Sequence, residues 1–258
     1  MPDTTPNVRQ QFDRQAAEYA ASAPHSSGES LHVITRLASA GRFKLALDIA
    51  TGPGFTAFAV APYSGHVIAT DIAPGMLAEA RRIAAERSIE NVSFAFAAAE
   101  ALPFADSSLD LVTCRTAPHH FPDVPLTLRE VARVLRPEGV YLLADTCTSE
   151  DNVASVWHQD MERRRDPTHI RNLPPPEWRA VIQAAGMRVD SETVTRVDMG
   201  FNAWTRRSGT PEAERERMRM AWGSAPRQAI GEFRIQPTSA GDYTFAWPVY
   251  VCRAQKPA

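Results

Sequence analysis

The chain has 258 residues, of which 44% are hydrophobic and 22% charged, and its formal net charge is −2. This length and apolar content are enough for one large or two small domains with a buried core. Because the near-neutral charge creates no global basic field, we expect neither nucleic acid nor an anionic membrane as a partner.

Cysteine usage and hydropathy narrow the class of protein further. Cys114, Cys147 and Cys252 are scattered and none forms a C-x-x-C pair, which argues against a zinc site and a disulfide framework. The N-terminal residues show no signal-peptide pattern, and no apolar run reaches the ~20 residues of a membrane helix. We therefore expect a cytoplasmic protein with buried free thiols, no bound metal and no membrane insertion.

Residues 1–40 favour helices. Phe12, Ala16 and Tyr19 recur at helical spacing within residues 7–21, and a second helix is expected over residues 29–40. Between them, residues 22–30 are rich in Ser, Gly and Pro, which is typical of a loop.

A regular alternation of short apolar runs and helical stretches follows. The apolar runs lack the in-and-out alternation of half-buried strands, which is typical of a parallel sheet covered by helices on both faces. Right-handed crossovers between such strands give a doubly wound sheet. We predict strands at residues 45–50, 66–71, 92–97, 109–114 and 139–145, and helices at residues 54–61, 74–87 and 122–135.

The pattern changes after residue 150. The segment from Asp151 to Trp222 contains many arginine and tryptophan residues without a repeated core spacing. We expect it to form a mobile cover over one edge of the sheet. Helices are predicted over residues 150–165, 176–185 and 200–222, and strands over residues 187–197 and 242–253.

The most informative motif lies at the end of the first predicted strand. The run Leu45–Ile49 leads into the turn Ala50–Gly54, and Asp71 ends the second predicted strand. Glycines let the backbone come close to a ligand, and the later carboxylate suits the two hydroxyls of a ribose. This edge of the sheet is therefore predicted to bind a cofactor that contains adenosine.

Two cofactor classes compete for this motif. Gly52-x-Gly54-x-x-Ala57 with Asp71 about 20 residues onward formally fits the dinucleotide fingerprint of an NAD(P)-dependent oxidoreductase. Asp48, however, lies ahead of the glycines, where its charge disfavours a pyrophosphate and favours a cationic ammonium.

Two further runs, Ala99–Asp110 and Leu135–Gly139, complete a set of linked motifs. The stretch from Leu47 to Asp145 that contains them resembles the class I S-adenosylmethionine (SAM)-dependent methyltransferases, and is nearest to the branch of the ubiquinone/menaquinone-biosynthesis C-methyltransferases. The N-terminal helix is similar to the cap of that branch. The resemblance implies an α/β fold with a Rossmann-like, doubly wound, mostly parallel seven-strand sheet, a helical N-terminal cap and a C-terminal insertion.

The resemblance also implies one domain over residues 1–258 and roles for individual residues. Residues 1–40 are then the cap, residues 41–150 the SAM-binding core, and residues 151–258 the acceptor-side cover with the last strands. Asp48 and the backbone of Ala50, Gly52 and Gly54 are expected to hold the methionine part of SAM, Asp71 the ribose, Ile72 and Met76 the adenine face, and Ala98 and Ala99 its edge. Arg115 and His120 are expected near the sulfonium, with Tyr19 closing over the cofactor or packing its own helix.

Two residues depart from the family pattern. Ala50 stands where the first glycine is usual, which an alanine tolerates if φ is negative there. Ala98 stands where an acidic side chain often contacts the adenine amino group, so either Glu100 or a backbone carbonyl is expected to make that contact.

His119 and His120 follow the fourth predicted strand, at the edge where open parallel sheets bind ligands. A histidine there suits a general base with a pKa near neutrality, and the resemblance favours His120. The alternative is that the pair caps the next helix or only lines the pocket. Arg165 and His169, together with His119, are candidates for substrate contact, and arginine suits an anionic substrate; the alternative is a solvated helix face.

The function predicted from the sequence is methyl transfer from SAM to a small-molecule acceptor. Two alternatives remain at this point. One is a SAM-binding protein or enzyme that does not methylate, and the other is an NAD(P)-dependent Rossmann oxidoreductase. The sequence indicates neither the acceptor, nor the methylated atom, nor the oligomeric state.

Overall fold

One sheet of eight strands organises the part of the chain described by the computed structural model, which covers residues 5–258 with side chains from Val8 onward. The strand order is β3-β2-β1-β4-β5-β8-β6, and β7 pairs with β8. Strands β1 to β5 are parallel, while β8 is antiparallel to β5 and β6. The strands are β1 (Phe43–Ile49), β2 (Ser64–Asp71), β3 (Val92–Phe96), β4 (Leu109–Arg115), β5 (Leu135–Thr146), β6 (Arg188–Gly200), β7 (Gln236–Pro237) and β8 (Tyr243–Gln255). The predicted Rossmann-like, mostly parallel fold is confirmed, with the two-residue β7 as an addition to the predicted seven strands.

Helices cover both faces of this sheet and close its carboxyl edge. They are α1 (Thr5–Ala20), α2 (Ala23–Ser27), α3 (Glu29–Ser39), α4 (Phe55–Val60), α5 (Pro74–Glu86), α6 (Val124–Val134), α7 (Asn152–Arg165), α8 (Pro175–Ala184), α9 (Phe201–Arg207), α10 (Glu212–Gly223) and α11 (Arg227–Glu232).

Three features of the helices differ from the sequence prediction. The stretch predicted as a loop over residues 22–30 contains α2. The single helix predicted over residues 200–222 is divided into α9 and α10, because Gly209 has a φ of +68° and Pro211 precedes the first residue of α10. The short helix α11 has no counterpart in the prediction.

The core lies on both faces of the sheet, as buried parallel strands require. Ala46 of β1 packs on one face with Ile34 of α3, while its neighbour Leu47 packs on the other face with Leu128 of α6. Successive strand residues therefore contribute to different halves of the core, which is why the central strands read as continuous apolar runs.

The C-terminal half has an aromatic core of its own. Trp204, Trp222 and Trp247 are almost fully buried, and their rings pack against Phe245 and Phe233 with centroids 4.4–5.2 Å apart. Aromatic pairs of this kind bury large areas and favour edge-to-face contacts. The cover thus contains a compact cluster that the sequence spacing does not reveal.

The three cysteines are buried and free. Within residues 5–258, no helix combines the length and apolar character needed to cross a membrane. The same residues contain no group of three His, Cys, Asp or Glu side chains placed to hold a metal ion.

Candidate active site

A cavity opens at the carboxyl ends of the central strands. It encloses about 1050 Å³ of empty space, its open mouth included, and lies where the strand order reverses between β1 and β4. Open α/β sheets bind ligands at this switch point. Its walls are the loops after β1, β2, β3 and β4, and side chains of α1 lie across it. We refer to it as the first cavity.

Most of the residues predicted for the cofactor meet in the first cavity. They are Tyr19, Ala50, Gly52, Asp71, Ile72, Met76, Ala98, Ala99, Glu100, Arg115 and His120. Asp48 and Gly54 do not line it, so direct contact of these two residues with the cofactor stays a prediction from the sequence.

The turn after β1 adopts left-handed backbone at three positions. Ala50, Gly52 and Gly54 have φ angles of +50°, +53° and +90°. The condition of a negative φ at Ala50 is therefore not met, and an alanine is held in a conformation that costs about 1–2 kcal/mol. A Cβ on Gly52 would meet no atom within 4 Å, so the glycine leaves its backbone open to the cavity. A Cβ on Gly54 would overlap the Phe58 ring, so this glycine is needed for packing.

Asp48 lies beneath this turn and holds it in place. Its carboxylate is buried and accepts hydrogen bonds from the hydroxyls of Thr51 (2.6 Å) and Thr113 (2.5 Å). Burial raises the pKa of Asp48 to about 6, although the two hydroxyls and the charge of Arg115 oppose the rise. Asp48 thus acts on the cavity through the backbone it supports and through its charge.

Asp71 ends β2 and faces the cavity. One carboxylate oxygen accepts from the backbone N–H of Gly52 and the other from that of Ala73, both at 2.9 Å. Burial raises its pKa to about 6 against these hydrogen bonds. Each oxygen retains a lone pair, so the carboxylate is fixed in orientation and still able to accept from a ligand. Further along the wall, Glu100 has a buried Oε1 with no partner among the described residues, and burial raises its pKa.

A second cavity of about 660 Å³ adjoins the first and shares one wall with it. Arg165, His119, Trp204, Trp247 and Arg207 line its far side. The shared wall consists of Phe12, Tyr19, His25, Arg115, Thr116 and His120.

Several contacts fix the shared wall. The Arg115 guanidinium donates to the Thr56 hydroxyl (2.9 Å) and to the His25 carbonyl (2.5 Å), and burial lowers its pKa to about 10. Phe12 packs edge-to-face on His120 with ring centroids 5.0 Å apart. Thr116 has a φ of +56°, which is a strained conformation for a β-branched residue and one that occurs at functional sites.

The two adjacent histidines are in different electrostatic states. Nδ1 of His119 donates to the Asp145 carboxylate at 2.7 Å. Burial opposes protonation of His119, but the charge and hydrogen bond of Asp145 outweigh it and raise the pKa. Nδ1 of His120 donates to the Thr168 carbonyl at 3.1 Å, and burial together with His119 lowers its pKa to about 4. The expectation of a near-neutral pKa for His120 is therefore wrong.

The charged run of the C-terminal half is not a solvated face at Arg165. Its side chain is buried, donates to Glu162 (3.1 Å) and to the Tyr19 hydroxyl (3.4 Å), and lies over the Trp204 ring. His169 is also buried but lines neither cavity, because Gln159 holds its Nε2 at 3.1 Å behind the other histidines. Burial lowers its pKa to about 2. Of these two candidates for substrate contact, Arg165 alone lines a cavity, and contact with a substrate stays a prediction for both.

Sequence reasoning missed several residues of the second cavity. His25 lies in a stretch predicted as a loop, and Arg207 lies in a run predicted as one long helix. Neither position carries a motif, since their proximity to the site arises from the packing of α2 and α9. The five tryptophans gave the one usable signal, because two of them, Trp204 and Trp247, do line this cavity.

Comparison with known proteins identifies the family of the chain and confirms its fold. The methyltransferase-domain family matches residues 44–196, more than half of the chain. The chain belongs to this family. Its relatives include the uncharacterized methyltransferase YcgJ of Bacillus subtilis, with 37% identity over 206 residues that cover 80% of this chain and 81% of that protein. The crystal structure of YcgJ superimposes with a TM-score of 0.82 and 33% identity, covering 89% of this chain and 98% of YcgJ.

The branch suggested by the sequence is also present among the relatives. The ubiquinone/menaquinone biosynthesis C-methyltransferase UbiE of Bradyrhizobium diazoefficiens is 41% identical over 108 residues, which cover 40% of this chain and 43% of UbiE. The resemblance inferred from the motifs is confirmed, and the chain is an enzyme of the SAM-dependent methyltransferase class. This assignment excludes the alternative of an NAD(P)-dependent oxidoreductase.

Proposed function

We propose that this enzyme transfers the methyl group of SAM, bound in the first cavity, to a small-molecule acceptor bound in the second. The observation that carries the proposal is the shared wall. Two ligands that occupy adjoining cavities meet at one boundary, and holding two reactants in such a geometry is the main contribution an enzyme makes to a transfer between them.

The residues of the first cavity fit SAM. The spare lone pairs of Asp71 suit the ribose hydroxyls, and the exposed backbone of Gly52 suits the methionine end. Ile72 and Met76 offer apolar contact to adenine. The unpartnered Oε1 of Glu100 suits the adenine amino group, so Glu100 takes the place of the acidic side chain absent at Ala98.

The buried charge of Asp48 suits the cationic groups of the same ligand. SAM supplies a methyl group already activated by its sulfonium charge. The chain itself then has to orient the acceptor, exclude water and, for an oxygen or nitrogen nucleophile, accept a proton. Phe12 and Tyr19 of α1 lie across both cavities and exclude water from their boundary.

We assign the proton-accepting role to His119 in preference to His120. The Asp145 carboxylate holds Nδ1–H of His119, which leaves Nε2 as the basic atom of a ring that lines the second cavity. The same arrangement orients the histidine of catalytic triads. The lowered pKa of His120 makes its free nitrogen a weak base at neutral pH. His120 is then a positioning residue at the boundary.

Calorimetry and a labelled-methyl assay test this function. SAM and its product S-adenosylhomocysteine should bind, whereas NAD should not. Asp71→Ala should weaken SAM binding by about 1–3 kcal/mol, the contribution of hydrogen bonds to a charged group. Asp106→Ala is the matched control, because Asp106 forms only an exposed ion pair with Arg133, and it should leave SAM affinity unchanged.

Two outcomes would contradict the proposal. Absence of SAM binding by the wild-type protein would remove the assigned cofactor site. SAM binding without methyl transfer to any of a broad panel of candidate metabolites would instead favour the alternative of a SAM-binding protein that does not methylate. Action in the cytoplasm and the absence of a nucleic-acid partner stay predictions from the sequence.

A further inference from the structure

The second cavity has an excess of positive charge. Three arginines line it, Arg115, Arg165 and Arg207, against one carboxylate, Glu162. Glu162 is already committed, since it accepts from Arg165 at 3.1 Å and lies 3.8 Å from His158. The cavity wall therefore presents more guanidinium charge than its own carboxylate can neutralise.

Arg207 is the arginine whose charge the fold leaves unmatched. Among the side chains from Val8 onward, no carboxylate lies within ion-pair distance of it, and its Nε is buried without a hydrogen-bond partner. The contact of its Nη2 is with the Met199 sulfur at 3.5 Å, which is a weak acceptor. Arg207 as a whole is half-buried, with its Nε enclosed. A guanidinium in such surroundings without an anionic partner is unfavourable, and enclosed charges in native proteins normally pair with an opposite one.

The neighbouring Arg165 makes this arrangement still less favourable. Burial and the charge of Arg165 lower the pKa of Arg207 to about 10, so both guanidiniums remain charged at neutral pH. The Tyr19 hydroxyl, which accepts from Arg165 at 3.4 Å, is neutral and does not offset two positive charges. An anion placed between the two arginines would stabilise both.

Apolar side chains also form part of the wall. Trp204, Trp247 and Val249 line the same cavity beside the arginines, and the His119–His120 pair lies on its other side. A ligand that fills this space therefore needs an anionic group at one end, an apolar body, and its reacting atom toward the boundary with the first cavity.

We propose that the acceptor is a small molecule with a carboxylate or phosphate group joined to an apolar body, and that Arg207 together with Arg165 binds the anionic group. This inference rests on the proposed function for the identity of the second ligand. It goes beyond that function by naming the chemical class of the acceptor and the residues that select it. Guanidinium groups bind both anions in a bidentate manner, so the shared chemistry is that of a planar or tetrahedral oxyanion.

Calorimetric titration of the protein saturated with S-adenosylhomocysteine tests the proposal. The probes are 3-phenylpropionate, phenyl phosphate and the neutral 3-phenylpropionamide, at up to millimolar concentration. At least one of the two anions should bind at least about tenfold more tightly than the amide, as the loss of a charge-assisted hydrogen bond implies. The stronger of the two distinguishes a carboxylate site from a phosphate site.

Variants of two adjacent arginines show which residue is responsible for anion binding. Arg207→Met keeps an unbranched side chain that fills the path of the arginine stem and removes its charge, and should lower anion affinity roughly 10- to 100-fold. Arg206→Met is the matched control, because Arg206 is exposed on the same helix and lines neither cavity, and it should change nothing. Arg207→Lys keeps the charge without the planar fork and should retain part of the affinity. All three variants should bind S-adenosylhomocysteine as the wild type does.

The stability of Arg207→Met is an independent readout. Because the unmatched charge is removed, the ligand-free variant should be at least as stable as the wild type in chemical denaturation, which a purely structural arginine would not allow. Equal binding of anions and amide, no anion binding at all, or anion binding unaffected by Arg207→Met would each overturn the inference. These results differ from a failure of the proposed function, in which S-adenosylhomocysteine itself does not bind.

Discussion

Asp48→Asn is expected to stabilise the ligand-free protein and to weaken SAM binding. The carboxylate is buried and its hydrogen-bond donors are the hydroxyls of Thr51 and Thr113. An asparagine of the same shape keeps a carbonyl oxygen for one hydroxyl, and the other hydroxyl can rotate to accept from the new amide. The substitution therefore removes the charge while the packing and hydrogen bonds beneath the turn are retained.

The size of the effect follows from the pKa of Asp48. Burial raises it from the 3.8 of a free aspartate to about 6, and each pKa unit corresponds to about 1.4 kcal/mol. Ionisation of Asp48 thus costs the folded protein about 3 kcal/mol more than the unfolded chain. Since the folded state binds the proton more tightly, this contribution lowers the stability as the pH rises from about 4 to about 6, and the full cost is present above that range.

The assay is chemical denaturation of both proteins without ligand between about pH 4 and pH 8. Asp48→Asn should be more stable by up to about 3 kcal/mol at neutral pH, and the difference should shrink toward the acid end. Asp110→Asn is the matched control. Asp110 is also buried beside a strand, but it accepts from the backbone N–H groups of Lys44 and Leu45 and pairs with Arg136 at 2.6 Å, so its variant should be destabilised.

Ligand affinity completes this test. Loss of the Asp48 charge should weaken SAM binding by about 1–2 kcal/mol, the Coulomb energy of charges several ångströms apart at an effective dielectric constant of about 20. S-adenosylhomocysteine, which lacks the sulfonium charge, should be affected less. If Asp48→Asn is destabilised at neutral pH, or if its stability difference is independent of pH, the electrostatic reasoning is refuted.

Three further predictions concern the same region. His119→Ala should lower kcat roughly 10²–10⁴-fold with little change in SAM affinity. The wild-type rate should rise with pH through the raised pKa of His119, since only the neutral ring accepts a proton. A flat pH profile, with kcat of the variant only a few-fold lower, would mean that positioning alone drives transfer. Ala50→Gly should raise the free energy of unfolding by about 1 kcal/mol or less, because relief of the left-handed strain is partly offset by the greater freedom of glycine in the unfolded chain; a destabilised variant in the same denaturation assay would contradict this. Gly54→Val should destabilise the fold by about 2–5 kcal/mol through its positive φ and its clash with Phe58, and a melting temperature equal to that of the wild type would show that the turn can rearrange.

The parallel half of the fold could be predicted because its signals are local. Each central strand is one apolar run that ends at a turn residue, and each helix that follows has its own periodicity, so a window of ~15 residues contains the information. The first two strands, for example, end at Ile49 and Asp71, within one residue of their predicted ends at residues 50 and 71. The antiparallel half was predicted less well, since β7 is two residues long and α11 six residues long, and neither length gives a periodic signal.

The two cavities also differ in how well their residues could be predicted from the sequence. The residues of the first cavity follow strand ends within a few positions, so that knowledge of the strands locates Gly52, Asp71 and Glu100 together. The second cavity is built from side chains far apart in the chain, among them Tyr19, His119 and Arg207. Their proximity depends on how α1, α7 and α9 pack over the sheet edge. The sequence around each of these residues does not show which other element it will contact. The aromatic cluster that fixes α9 had no periodic spacing for the same reason.

Several features that cost stability lie at or beneath these two cavities. Ala50 and Thr116 have strained backbone, Asp48 carries a buried negative charge, and Arg207 carries a positive charge that no described carboxylate matches. Natural sequences retain such conflicts mainly at functional sites, where a ligand offsets them. The signs of the two charges are opposite, which calls for a cationic ligand in the first cavity and an anionic one in the second.

The proposed methyl transfer meets the requirement for a cationic ligand best before the reaction, when the first cavity holds the positively charged sulfonium. With SAM in the first cavity as proposed, the charge of Asp48 is expected to attract both the ammonium and the sulfonium of the reactant. Transfer of the methyl group removes the sulfonium charge, so S-adenosylhomocysteine is expected to keep only the attraction of its ammonium. The charge beneath the turn is therefore expected to favour binding of SAM over binding of S-adenosylhomocysteine, and the affinities of the wild type and Asp48→Asn for the two ligands test this difference.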